Sequence, residues 1–181
     1  MTTTVLTTDR LTIRGWTAED AASAFAIYGS PEVARWLTPV MEQVSTIEAM
    51  RTTLQAWQQA QPDLMPPQGR WAVERTDDRA VIGGVSIRLL PPADDLELSW
   101  HLNPGAWARG YATEAARALI AWALAQDVDE LFAVARPNNV RAIGTAQRLG
   151  MQWVGETTKY YGLRLQVYRI RTGDLSESIP S

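Results

Sequence analysis

The chain has 181 residues, 46% hydrophobic and 20% charged, with a formal net charge of −3. That is one domain's worth of ordinary globular composition, long enough to bury a core; its acidic balance argues against nucleic acid as the main partner and suits a cationic, amine-bearing one. With no cysteine and one histidine there is no disulfide framework, thiolate nucleophile or zinc–thiolate site, and a His-based metal centre or Ser-His-Asp triad lacks its parts, so no metal is expected.

Met1-Thr-Thr-Thr lacks the basic and apolar regions of a secretory leader. The longest apolar run, around residues 115–125, carries Arg117 and is too short to span a bilayer; a cytoplasmic protein is expected. Leu11-Thr-Ile13-Arg-Gly alternates and suits a first strand. Thr17 and Asp20 have the spacing of a helix start, predicting a helix over 18–28 that Ser30-Pro31 ends. Ser45, spaced to Glu48 as a capping box, predicts a second helix to about Gln61. Between them, over 32–42, lie Trp36 and Met41, and Trp36 suits packing of the two helices. A Pro-rich loop follows, then two strands, 71–75 and 80–89, joined at Asp77-Asp78, a pair that favours a turn. Gly83-Gly84 inside the second signals a bulge or a close backbone approach.

Pro91-Pro92-Ala-Asp-Asp leads into the stretch around which the chain is organised. Leu96, Leu98, Trp100 and Leu102 alternate with Glu97, Ser99 and His101, the pattern of a half-buried strand. Asn103-Pro104-Gly105 breaks it. From Thr113 the apolar positions Ala115, Ala116, Leu119, Ile120, Ala123 and Leu124 have helical spacing. A strand therefore runs through a short loop, 106–112, into the first turn of a helix. The first N–H groups of a helix have no intrahelical acceptor, and the helix dipole is positive there. Gly110 lets the backbone approach a ligand and Arg109 adds a charge, so a pyrophosphate is the natural occupant; a plain strand–turn–helix connection fits the spacing equally well. Gly105 and Gly110 have Walker A spacing, but Tyr111-Ala112 stand where Lys-Ser/Thr belong, and the three glycines of a dinucleotide fingerprint are missing.

Beyond this helix, 130–135 reads as a buried strand reached by a right-handed crossover, hence parallel to 96–102. Pro137-Asn-Asn-Val-Arg-Ala142 opens a last helix, with Gly150 as a left-handed C-cap. Residues 153–161 and 165–171 are two further strands around Gly162, and the chain from 173 to 181 is expected to be a loose tail. The order β-α-α-β-β-β-α-β-α-β-β predicts a single α/β domain over 1–172, one mixed sheet with helices on both faces.

Trp107-Ala-Arg-Gly110-Tyr-Ala112 resembles the Gln/Arg-x-x-Gly-x-Gly/Ala loop of GNAT-type N-acetyltransferases, with Trp107 at the first position. The run Trp107 to Ala115, with Thr8-Asp9-Arg10-Leu11 near the start, looks like the RimJ/RimL branch. Asn139 and Leu149-Gly150 match that family's Asn-x-x-Ser…Leu-Gly-Phe segment in spacing, although Ala142 replaces the Ser and Met151 the Phe. The resemblance implies a GNAT-like fold whose two central parallel strands splay apart around acetyl-CoA. Backbone at Trp100 and Leu102 would pair with pantetheine, the N–H of Leu102 would polarise the thioester carbonyl, and Trp107, Arg109, Gly110, Tyr111, Ala112 and Thr113 would hold the pyrophosphate. Asn139 would contact the cofactor from the other wall. The first helical pair covers the acceptor side in this family, which gives Trp36 a second role as a pocket wall. A monomer or a homodimer is open.

The implied reaction is direct attack of a primary amine, on a protein N-terminus or a small molecule, on acetyl-CoA, releasing coenzyme A. Glu97 is the candidate base, with a solvated strand carboxylate as the other reading. His101, on the same face by alternation, would act as base, orient water, or serve the core. Tyr160 and Tyr161 are candidates for the acid at the leaving thiolate, and only one can face the site from a regular strand. A non-catalytic acyl-CoA sensor on the same scaffold is the alternative.

Overall fold

In a computed structural model, which describes residues 4–37, 39–92 and 95–177, eight strands form one sheet in the order β1-β2-β3-β4-β5-β6-β8-β7. The strands are β1 (Thr4–Thr7), β2 (Leu11–Gly15), β3 (Gly69–Arg75), β4 (Val81–Leu89), β5 (Leu96–Leu102), β6 (Glu130–Ala135), β7 (Gln152–Thr157) and β8 (Leu165–Arg171). The helices are α1 (Ala21–Tyr28), α2 (Pro31–Leu37), α3 (Ile47–Ala60), α4 (Tyr111–Leu124) and α5 (Val140–Arg148). The β5–β6 pair is parallel and its pairing reduces to Glu97 opposite Phe132; the other neighbours are antiparallel. The mixed sheet and the parallel central pair stand as expected. The single register point means that β5 and β6 part beyond Glu97, which leaves a gap beside Trp100 and Leu102.

Alternation along the strands sorts side chains to two layers. Leu11, Ile13, Trp71, Val73, Ile87 and Leu98 pack with Ala115, Leu119 and Ile120 of α4 on one face. Trp16 and Ala72 pack with Ile27, Tyr28, Met50 and Leu54 of α1 and α3 on the other. Arg14 sits beneath that second layer. Its guanidinium donates to Asp20 at 2.9 Å and to Glu74 at 2.7 Å, all three side chains largely buried. Burial alone would raise the Asp20 carboxyl, but the Arg14 and Thr17 hydrogen bonds outweigh it and hold it below the usual carboxylate range.

Several local expectations need correction. The chain start is a hairpin, β1 and β2: Thr4–Thr7 pairs antiparallel with β2, and Val5 and Leu6 pack against the core. Pro31 does not only end α1. It opens α2, since a proline at the first helical position gives up an N–H that has no acceptor there, and the Ser30 hydroxyl accepts from the Val33 N–H at 3.3 Å. The cap of α3 is Thr46, whose hydroxyl accepts from the Ala49 N–H at 3.0 Å, in place of Ser45. β7 ends at Thr157, so neither Tyr160 nor Tyr161 lies on a strand. The tail turns into a 3-10 helix over Thr172–Glu177, with Asp174 accepting from the Arg171 N–H and Leu175 against the core; residues 178–181 of that tail lie outside the described residues.

Gly83 and Gly84 combine both anticipated roles. The β3 register slips by one residue between Val73 and Glu74, opposite this segment. A Cβ at Gly83 would lie 2.2 Å from Leu102, and one at Gly84 would lie 2.2 Å from the Tyr28 hydroxyl. Gly150 closes α5 at φ 78°, with its own N–H and that of Met151 reaching back to Gln147 and Ala146, a Schellman ending. Among the described residues no helix is long and apolar enough to cross a membrane.

Candidate active site

The loop between β5 and α4 is shaped by two left-handed residues, Ala108 at φ 60° and Gly110 at φ 78°. Gly110 caps α4, and Glu114 is the first residue whose N–H finds an intrahelical carbonyl, that of Gly110 at 3.0 Å. The N–H groups of Tyr111, Ala112 and Thr113 are thus presented at the helix start, where the dipole is positive. Arg109 is exposed. The loop is fastened from the far end of the chain. Arg10 donates to the Arg109 carbonyl at 3.0 Å and to Glu114 at 2.7 Å, and lies over the Tyr111 ring at 4.5 Å; the Thr8 hydroxyl donates to Glu114 at 2.6 Å.

At the end of β5 the Asn103 N–H bonds the Ile82 carbonyl of β4 at 2.8 Å. Backbone groups alternate sides along a strand, so those of Trp100 and Leu102 face away from β4, into the gap left by β6. The Trp107 indole N–H takes the Leu102 carbonyl at 3.0 Å. Trp107 therefore acts through its ring: it braces the end of β5 and carries the Arg141 guanidinium 3.7 Å above it. The Asn139 side chain caps α5, its Oδ1 accepting from the Ala142 N–H at 3.3 Å. It still lines the cavity, together with Ala142, but the carbonyl end of its amide is committed to the helix.

One continuous cavity runs from Trp107, Ala112 and Asn139 through the gap to a chamber under α1, α2 and α3. Its chamber walls include Tyr28, Trp36, Met41 and Trp57; Trp36 is thus a pocket wall. Glu97 faces this space from β5. Burial pushes its carboxyl up to about 7, against the opposing Tyr161 hydrogen bond and the Arg88 charge. The Tyr161 hydroxyl donates to Glu97 at 3.2 Å. Its phenol is driven well above the usual range, first by burial and then by the Glu97 charge, so it stays a donor. Tyr161 reaches this position from a turn at φ 56°.

Tyr160 points elsewhere. It is 5% exposed, packs with Leu90, Leu165 and Val167, and donates to Asp95 at 2.8 Å, outside the cavity. Burial and the Asp95 bond push its phenol up to about 12, and it is not positioned to protonate a leaving group in the gap. His101 lines the chamber with its ring against Tyr28, centroids 5.8 Å apart. Burial lowers its pKa to about 4, so it is neutral at pH 7 and too weak a base to take a proton from an amine. A base with the ordinary imidazole pKa of ~6.5 would need a solvated ring.

Arg70, Ser86, Arg88 and Ser99 also line the chamber and were not singled out from sequence. The signal was available: with β3 paired to β4 and β4 to β5, alternation places them on the Glu97 face.

A strand leading through a left-handed loop into a helix N-terminus, beside a parted parallel pair, matches the GNAT acetyltransferase domain. That family model covers residues 10–152, and the chain belongs to it; it is an acyltransferase enzyme. An uncharacterized N-acetyltransferase of Bacillus subtilis (strain 168), YoaA, is 26% identical over 159 residues, 86% of this chain and 87% of that protein. The ribosomal-protein-S5-alanine acetyltransferase of Vibrio fischeri superposes with a TM-score of 0.73 at 18% identity, covering 96% of this chain and 98% of that one. The microcin C7 self-immunity acetyltransferase MccE, solved with acetyl-CoA and AMP, gives 0.72 at 14% identity, covering 91% and 93%.

Proposed function

We propose that the protein transfers the acetyl group of acetyl-CoA to a primary amine by direct attack within a ternary complex, with Glu97 as general base. The observation that carries this is Glu97 itself: a carboxylate with a pKa of about 7, held by Tyr161, at the point where β5 and β6 part. The residues present fit acetyl-CoA. The unpartnered N–H groups of 111–113, with Gly110 and Arg109, suit a pyrophosphate, and the backbone edge of Trp100 together with the Leu102 N–H suits an extended pantetheine arm. Bound there, acetyl-CoA supplies an activated thioester.

The chain's own residues do the rest. The Leu102 N–H faces the gap, placed to donate to negative charge developing on the acyl oxygen. Glu97 accepts the ammonium proton, which matters because a Lys-like amine of pKa ~10.4 is only about 0.04% neutral at pH 7, against roughly a tenth for an α-amine. Tyr161 orients Glu97 and keeps its own proton, available near the leaving thiolate. A sensor without turnover would not need a carboxylate tuned to neutrality.

The test is thiol release from acetyl-CoA across peptide N-termini, polyamines, amino acids and aminoglycosides, with acetyl-CoA binding followed by calorimetry. Glu97→Gln is expected to lower kcat by about 10²–10⁴ while leaving acetyl-CoA affinity unchanged. Binding without turnover on any amine would favour the sensor, and absence of binding would refute the cofactor site.

A further inference from the structure

Arg70 on β3 and Arg88 on β4 both line the acceptor chamber. Among the described residues neither forms an ion pair, although both are half-buried. Arg35, Arg109, Arg117, Arg141 and Arg148 also lack one but are exposed, while Arg10, Arg14, Arg51, Arg75, Arg164 and Arg171 have carboxylate partners. The chain holds 20 acidic residues against 17 basic, so a shortage of carboxylates does not explain it. The two charges also repel. Burial lowers Arg70 to about 10, and the Arg88 charge adds to the shift. Glu97 is the one buried carboxylate among the described residues that line this cavity with the two guanidinium groups, which leaves an excess of positive charge that is costly unless a ligand anion balances it.

Their placement is ordered. Arg88 lies directly across from Glu97, and Arg70 across from Ser86, which is across from Ser99. Directly opposed Cβ atoms are about 5 Å apart, so Arg88 lies beside Glu97. Arg70, two strands over and one pair along, has its Cβ roughly 12 Å from that of Glu97, and its long side chain reaches into the same chamber. Arg70 stacks on Trp57 at 5.1 Å; stacking uses the guanidinium face and leaves its N–H edge for an anion. The Ser86 and Ser99 hydroxyls, 2.6 Å apart, lie in the row between. The acidic side chains that face the chamber are Glu97 and the exposed Glu32 at its rim. The pyrophosphate loop belongs to the opposite, α4 face of the sheet, so this is a separate anion site.

We infer that the acceptor is a small amine carrying an anionic group, a carboxylate or phosphate a few bonds from its nitrogen, which Arg70 and Arg88 receive while Glu97 faces the amine. This rests on the acetyltransferase reading above and names its substrate class. The walls of Trp36, Met41 and Trp57 would cover an apolar body. An overall acidic chain thus selects its substrate's anion by a local cationic pair.

Matched amines test this: phenylalanine against phenethylamine, and O-phosphoethanolamine against ethanolamine, which separate carboxylate from phosphate. Tryptophan fluorescence with N-acetylphenylalanine against N-acetylphenethylamine reads the same site without turnover, through Trp36 and Trp57. The anionic member of at least one pair is expected to have a kcat/KM at least about tenfold higher. Arg70→Gln and Arg88→Gln should each collapse that preference, and Arg→Lys variants should restore part of it. Unchanged acetyl-CoA binding would show that the variants fold. Equal use and equal binding of neutral and anionic partners, or a preference that survives both Gln variants, would overturn the inference and leave the acetyltransferase reading standing. Loss of acetyl-CoA binding by the unaltered protein would instead refute that reading, and the acetylated pair would still decide the anion site.

Discussion

Glu97 has two opposing influences on its proton, burial upward and the Tyr161 hydroxyl downward. A base must be deprotonated to work, so the acid limb of the rate profile should fall near pH 7, with activity lost below it. Tyr161→Phe removes the downward influence, and the limb should move to higher pH; a pH series of kcat in the variant and parent checks this, and an unmoved limb would mean Glu97 is not the titrating group. Gly110 is the second residue on which the site turns. A Cβ there would meet only Arg10 at 3.5 Å, so space permits it, but φ 78° does not. Gly110→Ala should destabilise the loop by about 1 kcal/mol and weaken acetyl-CoA binding measurably by calorimetry.

The β5-loop-α4 unit is a composite. Its own residues form the strand, the turn and the helix start, yet the loop is pinned by Thr8 and Arg10 from the hairpin end of β2. The Thr-x-Arg-Leu opening therefore belongs physically to the loop between β5 and α4, about a hundred residues away in the chain. Arg10 is half exposed, so its loss should cost little global stability. Arg10→Ala is expected to raise the acetyl-CoA Kd about threefold with Tm nearly unchanged; an unaltered Kd would make the clamp merely local packing.

Across the whole molecule, the two helical layers are tied to the sheet differently. α4 is held by apolar packing, while the start of the α1 layer is held by Arg14 between Asp20 and Glu74. Removing the cation leaves two buried carboxylates uncompensated, and Arg14→Leu should cost about 3 kcal/mol by urea titration. The Asp20 pKa is lowered on folding. Its contribution is thus fully present above the unfolded value near ~3.9 and lost as pH falls through the depressed folded value. Acid titration of stability should show this loss in the parent and a smaller one in Asp20→Asn.

Alternation and helical spacing by themselves determined the central strand, the helix after it, the parallel crossover and the loop between, because these are local periods imposed by one buried face. They also placed Glu97 and His101 on a common face. The same local reading missed α2, since proline was read as a stop, and placed Tyr160 and Tyr161 on a strand that ends at Thr157. The proton affinities were decided by tertiary structure. Burial, which no spacing expresses, carries Glu97 up to about 7 and His101 down to about 4. The choice of Tyr161 over Tyr160, and the meeting of Arg70 and Arg88 in the chamber that Glu97 faces, likewise come from strand pairing and a turn's direction. Sequence determined the central elements and the family resemblance; packing determined which charges face one another, and so what the site can bind.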